Sequence, residues 1–148
     1  MNYWFECKVS YERQADSMGM KKVSESYLVD ALSFTEAEKR IIKEIRPFVS
    51  VGELEVVNIR RARIAELFLH EEAEDDRYFR AKVNFITVDE KSGSEKKTSA
   101  TMIVKSDSLP NAVTELKAQL DSQMASYEIA AVTDTQILDV FQYEAPEK

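Results

Sequence analysis

The amino-acid sequence repeats itself at half its length. Trp4-Phe5-Glu6-Cys7-Lys8-Val9-Ser10-Tyr11 aligns with Tyr78-Phe79-Arg80-Ala81-Lys82-Val83-Asn84-Phe85, 74 positions later. Phe, Lys and Val recur, and both stretches begin and end on an aromatic residue. Lys21-Lys22-Val23-Ser24 then aligns with Lys96-Lys97-Thr98-Ser99 at an offset of 75. That frame holds through Val29/Val104, Ser33/Ser108, Ala37/Ala112, Ile41/Leu116 and Ile45/Leu120. Toward the end of each half the offset is 73, pairing Glu55/Glu128, Val56/Ile129, Ile59/Val132, Ile64/Ile137, Leu67/Val140 and Phe68/Phe141. Blocks that keep their order and their apolar positions point to a tandem duplication, residues 1–74 and 75–148.

Each half has the same local grammar. Tyr3, Phe5, Cys7, Val9 and Tyr11 alternate with Trp4, Glu6, Lys8 and Ser10. Period two predicts a strand with one buried face. Phe79, Ala81, Val83 and Phe85 repeat the pattern. A polar, Gly-containing connection follows, Gln14 to Gly19 and then Asp89 to Glu95. A second strand comes next, Val23 to Val29 and Thr98 to Val104, so each pair reads as a β-hairpin. Ser33-Phe34-Thr35-Glu36 is a capping box, in which the hydroxyl takes a free amide and the glutamate reaches back. Phe34, Ala37, Ile41, Ile42 and Ile45 follow at helical spacing, and Pro47 ends the run. The second helix opens at Ser108, carries Pro110 in its first turn, and uses Leu109, Ala112, Val113, Leu116 and Leu120. Two short strands, or one bent one, close each half: Leu54–Ile59 with Arg63–Leu69, and Tyr127–Val132 with Gln136–Tyr143.

The expected fold is therefore α+β. A single domain over residues 1–148 is built from two β-β-α-β-β units in one mostly antiparallel sheet system or open barrel. Two helices cover it, and a pseudo-twofold axis relates the halves. A lone unit of ~74 residues buries little surface and is marginally stable, so the two are expected to share one core. His70-Glu71-Glu72-Ala73-Glu74-Asp75-Asp76-Arg77 reads as an exposed, charged connector.

Three stretches resemble a known family: Tyr3-Trp4-Phe5-Glu6-Cys7-Lys8-Val9, Tyr27 through Glu38, and Asp89 through Thr98. They are similar to the Bacteroidetes family catalogued as domain of unknown function 4494. The resemblance covers nearly the whole chain. It implies a source in Bacteroides-type genomes and in phage-like or mobile settings, and it brings no catalytic residues with it.

Composition narrows the chemistry. The chain has 148 residues, one Cys, one His, three Gly and a net charge of −7. One Cys leaves no internal disulfide framework. Three scattered glycines cannot make a phosphate-cradling loop. Cys7 alternates inward, where Ala81 stands in the second half, and reads as a small buried residue. His70 with Glu71, Glu72, Glu74, Asp75 and Asp76 has metal-ligand residue types, but consecutive connector residues point apart and lack calcium-loop spacing. No metal and no cofactor are expected, and no enzyme. Paired carboxylates could do acid–base work, yet nothing singles out a pair among 27 acidic residues. With no apolar run long enough to span a bilayer and no signal peptide, the expected location is the cytoplasm.

Two functions remain. The first is a non-enzymatic binding or assembly module with a protein partner or a second copy of itself. The second is a single-stranded nucleic-acid-binding accessory protein. For the second, Trp4 and Tyr78 share the non-core strand phase with Lys8, Arg80 and Lys82. Lys21, Lys22, Lys96 and Lys97 begin the second strands, and Arg60, Arg61 and Arg63 add a basic run. Aromatics interleaved with cations on an open sheet can stack bases and hold phosphates.

Overall fold

The computed structural model describes residues 3–15, 19–49, 51–69 and 76–142. Strands β1 (Tyr3–Ala15) and β2 (Gly19–Ala31) form a long hairpin, Tyr3 opposite Ala31 and Ala15 opposite Gly19. Helix α1 (Phe34–Ile45) follows, then β3 (Val51–Ala62) and the short β4 (Glu66–Phe68). The second half repeats the order: β5 (Arg77–Val88), β6 (Glu95–Ser106), α2 (Leu109–Asp121), β7 (Tyr127–Asp134) and β8 (Ile137–Phe141). The duplicated β-β-α-β-β unit is thus present, with the last two strands separate. The strands form two mixed four-stranded sheets, and with the two helices the arrangement is α+β.

The helices start where the sequence marks them. Ser33 is extended, and its hydroxyl accepts from the Glu36 amide at 3.1 Å. The Glu36 carboxylate reaches back to the Leu32 amide, one residue before the cap. A 3-10 turn at Arg46–Phe48 takes Pro47 at the end of α1. Ser108 caps α2 in the same way, with Pro110 in the first turn. In the β5–β6 loop the Gly93 amide donates to the Asp89 carbonyl at 2.7 Å, and Gly93 sits at φ +70°. A side chain there would be strained.

The chain forms two compact units: residues 1–63 with 136–148, and residues 64–135. In the first, the strand order is β3-β1-β2-β8; in the second it is β4-β6-β5-β7. Neighbours are antiparallel except at one edge of each sheet. There β8 lies parallel to β2, with Leu28 opposite Val140, and β4 lies parallel to β6, with Leu67 opposite Ile103. Each half therefore donates its last strand to the sheet of the other half.

Chain length dictates this exchange. Ala62 lies level with Asp30, and the slot that Glu66 would need beside β2 is level with Tyr27. Reaching it means crossing three strand spacings of ~4.8 Å and descending three residues, ~17 Å in all. The four steps from Ala62 to Glu66 span at most ~14 Å fully extended. So β4 cannot close its own sheet, and the vacant edge takes β8.

A buried cluster lies beneath the helix of each unit. In the first unit Phe5, Cys7, Val9, Tyr27, Val29 and Ala31 pack beneath Ala37, Ile41 and Ile45 of α1. In the second, Phe79, Ala81, Val83, Met102 and Val104 pack beneath Ala112, Leu116 and Leu120 of α2. Phe34 heads the predicted apolar stripe yet stays half exposed, its ring edge-on to Phe5 at 4.9 Å. Each buried aliphatic side chain contributes about 1.5–3 kcal/mol. Phe141 of β8 belongs to the first core, stacked on Tyr27 at 5.4 Å.

The exchange has a measurable signature. Ile137 is buried in β8. Replacing Ile137 by Asp puts an unpaired charge there and should lower hydrogen-exchange protection of the Ser26–Val29 amides by ~10-fold or more. Loss confined to β6 and β7, the strands of its own half, would contradict the exchanged pairing.

Candidate functional site

The predicted aromatic and basic residues do not form one surface. Consecutive strand residues point to opposite faces. In the first sheet Trp4, Lys8, Lys22 and Arg60 share the helix-free face, whereas Lys21 and Arg61 share the helix side. In the second sheet Tyr78, Arg80, Lys82 and Lys97 share the helix-free face, whereas Lys96 falls on the other. Arg63 is exposed beyond the end of β3.

Several of these side chains are already engaged. The Arg60 guanidinium donates twice to Glu6 Oε2, at 2.9 and 2.5 Å. Arg61 lies over the Tyr3 ring, 3.9 Å from its centroid. Lys97 Nζ donates to Glu128 Oε1 at 3.0 Å. That carboxylate also accepts from Asn84, whose own oxygen accepts from Ser99. Lys8, Lys21, Lys22, Lys82 and Lys96 are exposed, Trp4 and Arg80 half-buried. Tyr78 corrects the expectation of an open aromatic face, because it is only 3% exposed. Its ring carries Lys105 Nζ at 5.7 Å, and Ile103, opposite Arg80, is fully buried. Period two shows which face a residue takes; it does not show whether that face is open.

The first unit holds a polar cluster that alternation alone did not single out. Tyr11, Glu25 and Tyr27 all lie on the helix side of the β1–β2 hairpin. The Tyr11 hydroxyl donates to Glu25 Oε1 at 2.6 Å and the Tyr27 hydroxyl to the same oxygen at 3.0 Å. Arg13 Nη1 is 3.8 Å from the other oxygen. Burial pushes both phenols above their usual range, and the Glu25 hydrogen bond adds to it. Both phenols therefore stay protonated donors, and the carboxylate is held by them. The available signal was Glu25 itself, an acid on the core phase of β2 between Val23 and Tyr27.

The duplicated hairpin shows that the fold does not need this cluster. Tyr11 pairs with Val23, and Phe85 pairs with Thr98 at the matching place; Cys7 pairs with Tyr27, and Ala81 with Met102. The second unit thus has Phe85, Ala100 and Met102 where the first has Tyr11, Glu25 and Tyr27. Tyr27 also lines an open cleft of about 420 Å³ between the end of α1 and β8. Ile45, Pro47, Phe48, Leu138 and Phe141 supply apolar walls, and Glu44 and Asp139 supply acidic groups. Phe48 is 65% exposed and Leu138 51%. In the second unit Ala65 stands at the Leu138 position, and Gln123 donates to Glu66 at 3.3 Å, tying the turn after α2 to β4.

Cys7 is fully buried, and desolvation followed by the nearby Glu6 charge pushes its thiol up to about 12. It is an inert core thiol, as its strand phase predicts. Among the described residues no group of His, Cys, Asp and Glu is placed to hold a metal ion. Of the acidic connector, His70, Glu71, Glu72, Glu74 and Asp75 lie outside the described residues, and Asp76 is exposed. No helix among the described residues is long and apolar enough to cross a membrane.

Fold and cleft together define a duplicated α+β protein whose two helix-backed sheets exchange edge strands. The chain belongs to the family DUF4494, a domain of unknown function, which it matches over residues 3–143. No curated protein and no solved structure matches the chain.

The buried acids of the first unit carry a pH signature. A pKa raised in the fold means stability is complete below the unfolded pKa and is lost as pH climbs toward the folded one. For Cys7 that window runs from 9.0 to about 12. At ~1.4 kcal/mol per pH unit its loss is at most ~4 kcal/mol. Tyr11 and Tyr27 add a further loss beginning above 10.0. Urea unfolding followed against pH should therefore decline above pH ~9, and Cys7→Ala should remove the earliest part of the decline. An unchanged profile in that variant would contradict a buried, neutral thiol.

Proposed function

We propose that this chain is a non-enzymatic binding module working in a bacterial or phage-derived setting, with the α1–β8 cleft of the first unit as its recognition site. The observation that carries this is the cleft itself. Two large apolar side chains, Phe48 and Leu138, stand exposed on its walls, over a floor of Tyr27 and Phe141. Single exposed apolar residues are ordinary, but a concave pair over an aromatic floor suits recognition. Glu44 and Asp139 set the charge. The occupant that fits is a peptide segment presenting a large apolar residue beside a lysine or arginine. The Glu25 hydrogen bond fixes the Tyr27 ring, so the floor is held before the partner arrives. The bacterial and phage setting rests on the sequence resemblance.

Panning a random peptide library against the protein tests this. Enriched peptides should pair an aromatic or aliphatic residue with a basic one, and their affinity should fall ~10-fold or more on Leu138→Lys or Phe48→Ser. Enrichment that ignores both substitutions would overturn the assignment.

The nucleic-acid function has less support, because Tyr78 is buried and the cations divide between faces. What favours it is that Lys8 and Lys82 are exposed at equivalent places. Anisotropy of a labelled thymidine oligonucleotide at low salt decides: no binding is expected. Binding abolished by Lys8→Ala with Lys82→Ala would replace the cleft proposal.

A further inference from the structure

Strand β3 is twelve residues long and lies at the edge of its sheet, paired on one side with β1. Its sequence across the exposed part is Glu53-Leu54-Glu55-Val56-Val57-Asn58-Ile59-Arg60-Arg61. Acids occupy the first half and cations the second. The β1 register fixes their faces. Val56 lies opposite Val9 and Ile59 opposite Cys7, both on the helix side; Glu55 lies opposite Ser10 and Arg60 opposite Glu6, both on the helix-free side. Val57 is the extra residue of a bulge, 50% exposed.

We infer that β3 pairs antiparallel with β3 of a second copy of this chain, about a twofold axis between Val57 and Asn58. In that register Glu55 of each copy faces Arg60 of the other, and Val56 faces Ile59. Each of these two opposed pairs then falls on one face of the joined sheet, as antiparallel pairing demands. A one-residue slip would set Glu55 against Ile59 and mix the faces. Val56 and Ile59 are only partly buried against the first core, so pairing completes their burial. Arg60 stays 61% exposed at its side chain despite its bond to Glu6, which leaves it reachable from a second chain. Glu6 and Glu55 would then flank it from both sides.

The second half provides the contrast. The equivalent edge strand β7 reads Tyr127-Glu128-Ile129-Ala130-Ala131-Val132-Thr133-Asp134 and has no cation. Thr133 stands at the Arg60 position, and Glu128 is already held by Lys97 and Asn84. Two copies of β7 in the same register would set Glu128 against Thr133 and Tyr127 against Asp134, with no charge pair across the seam, and Arg77 already holds Asp134. The bulge in β7, at Ala130, matches that in β3, so both edges share geometry and differ in charge. Charge therefore selects β3 for self-pairing and closes the assembly at a dimer.

The inference uses a surface separate from the α1–β8 cleft, so its failure and the cleft's are read in different experiments. Sedimentation equilibrium of the full chain against concentration tests it, with circular dichroism checking that each variant is folded. The wild type should dimerise reversibly, more weakly at high salt. Glu55→Arg should raise the dimer dissociation constant at least ~10-fold, and so should Arg60→Glu. The double variant Glu55→Arg/Arg60→Glu should dimerise at least ~3-fold more tightly than either single variant, because the swapped charges face each other again, although the new carboxylate then lies beside Glu6. A strict monomer at all concentrations would overturn the inference. So would a dimer indifferent to both single reversals, a double variant that stays dissociated, or open-ended oligomers larger than a dimer.

Discussion

The connection between β3 and β4 is too short to let the first half finish its own sheet. Residues 63–65 cannot carry the chain across three strands and back along the sheet. Everything else in the architecture accommodates that limit. The last strand of each half must pair elsewhere, and the other half offers an equivalent vacant edge beside its own second strand. The parallel ladders β2–β8 and β6–β4 are therefore the contacts through which duplication becomes structure. A single half would leave both a raw edge and an incomplete core, since Phe141 and Phe68 belong to the opposite half's core.

Duplication also supplies a comparison inside one molecule. Positions that agree between the units describe what the fold requires: the Ser33 and Ser108 caps, the Ala37 and Ala112 contacts, the Ile41 and Leu116 anchors, the paired bulges. Positions that differ describe what one unit does alone. The Tyr11–Glu25–Tyr27 cluster, Leu138 and the basic end of β3 are all features of the first unit, replaced by Phe85, Ala100, Met102, Ala65 and Thr133 in the second. Holding a carboxylate beneath a core needs donors to offset its desolvation, and the two phenols provide them. The twin hairpin folds without such a cluster.

Much of the fold was legible in the sequence because local rules set it. Period two gave the hairpins, hydroxyl caps gave the helix starts, and Pro47 marked the first stop. What periodicity could not convey was which strand closes which sheet, since that depends on a distance between strands that only the assembled sheet defines. Whether the repeats share one sheet or form two was open for that reason, and the strand pairing gives two. The candidate site was less legible. Alternation placed Tyr78 on the helix-free face, but exposure is a property of what covers that face. Lysines adjacent in sequence, such as Lys21 and Lys22, look like one basic group, but a strand sends them to opposite sides. Glu25 was visible as an acid on a core phase, yet its two phenol partners lie 14 and 2 residues away, and only pairing brings them to one oxygen.

Strand exchange is the claim on which the cleft and the two cores rest. Nuclear Overhauser contacts between backbone protons test it most directly. The account predicts contacts joining Tyr27–Val29 to Asp139–Phe141, and Met102–Val104 to Glu66–Phe68. Contacts joining Tyr27–Val29 to Glu66–Phe68 would mean that each half closes its own sheet, and would contradict it.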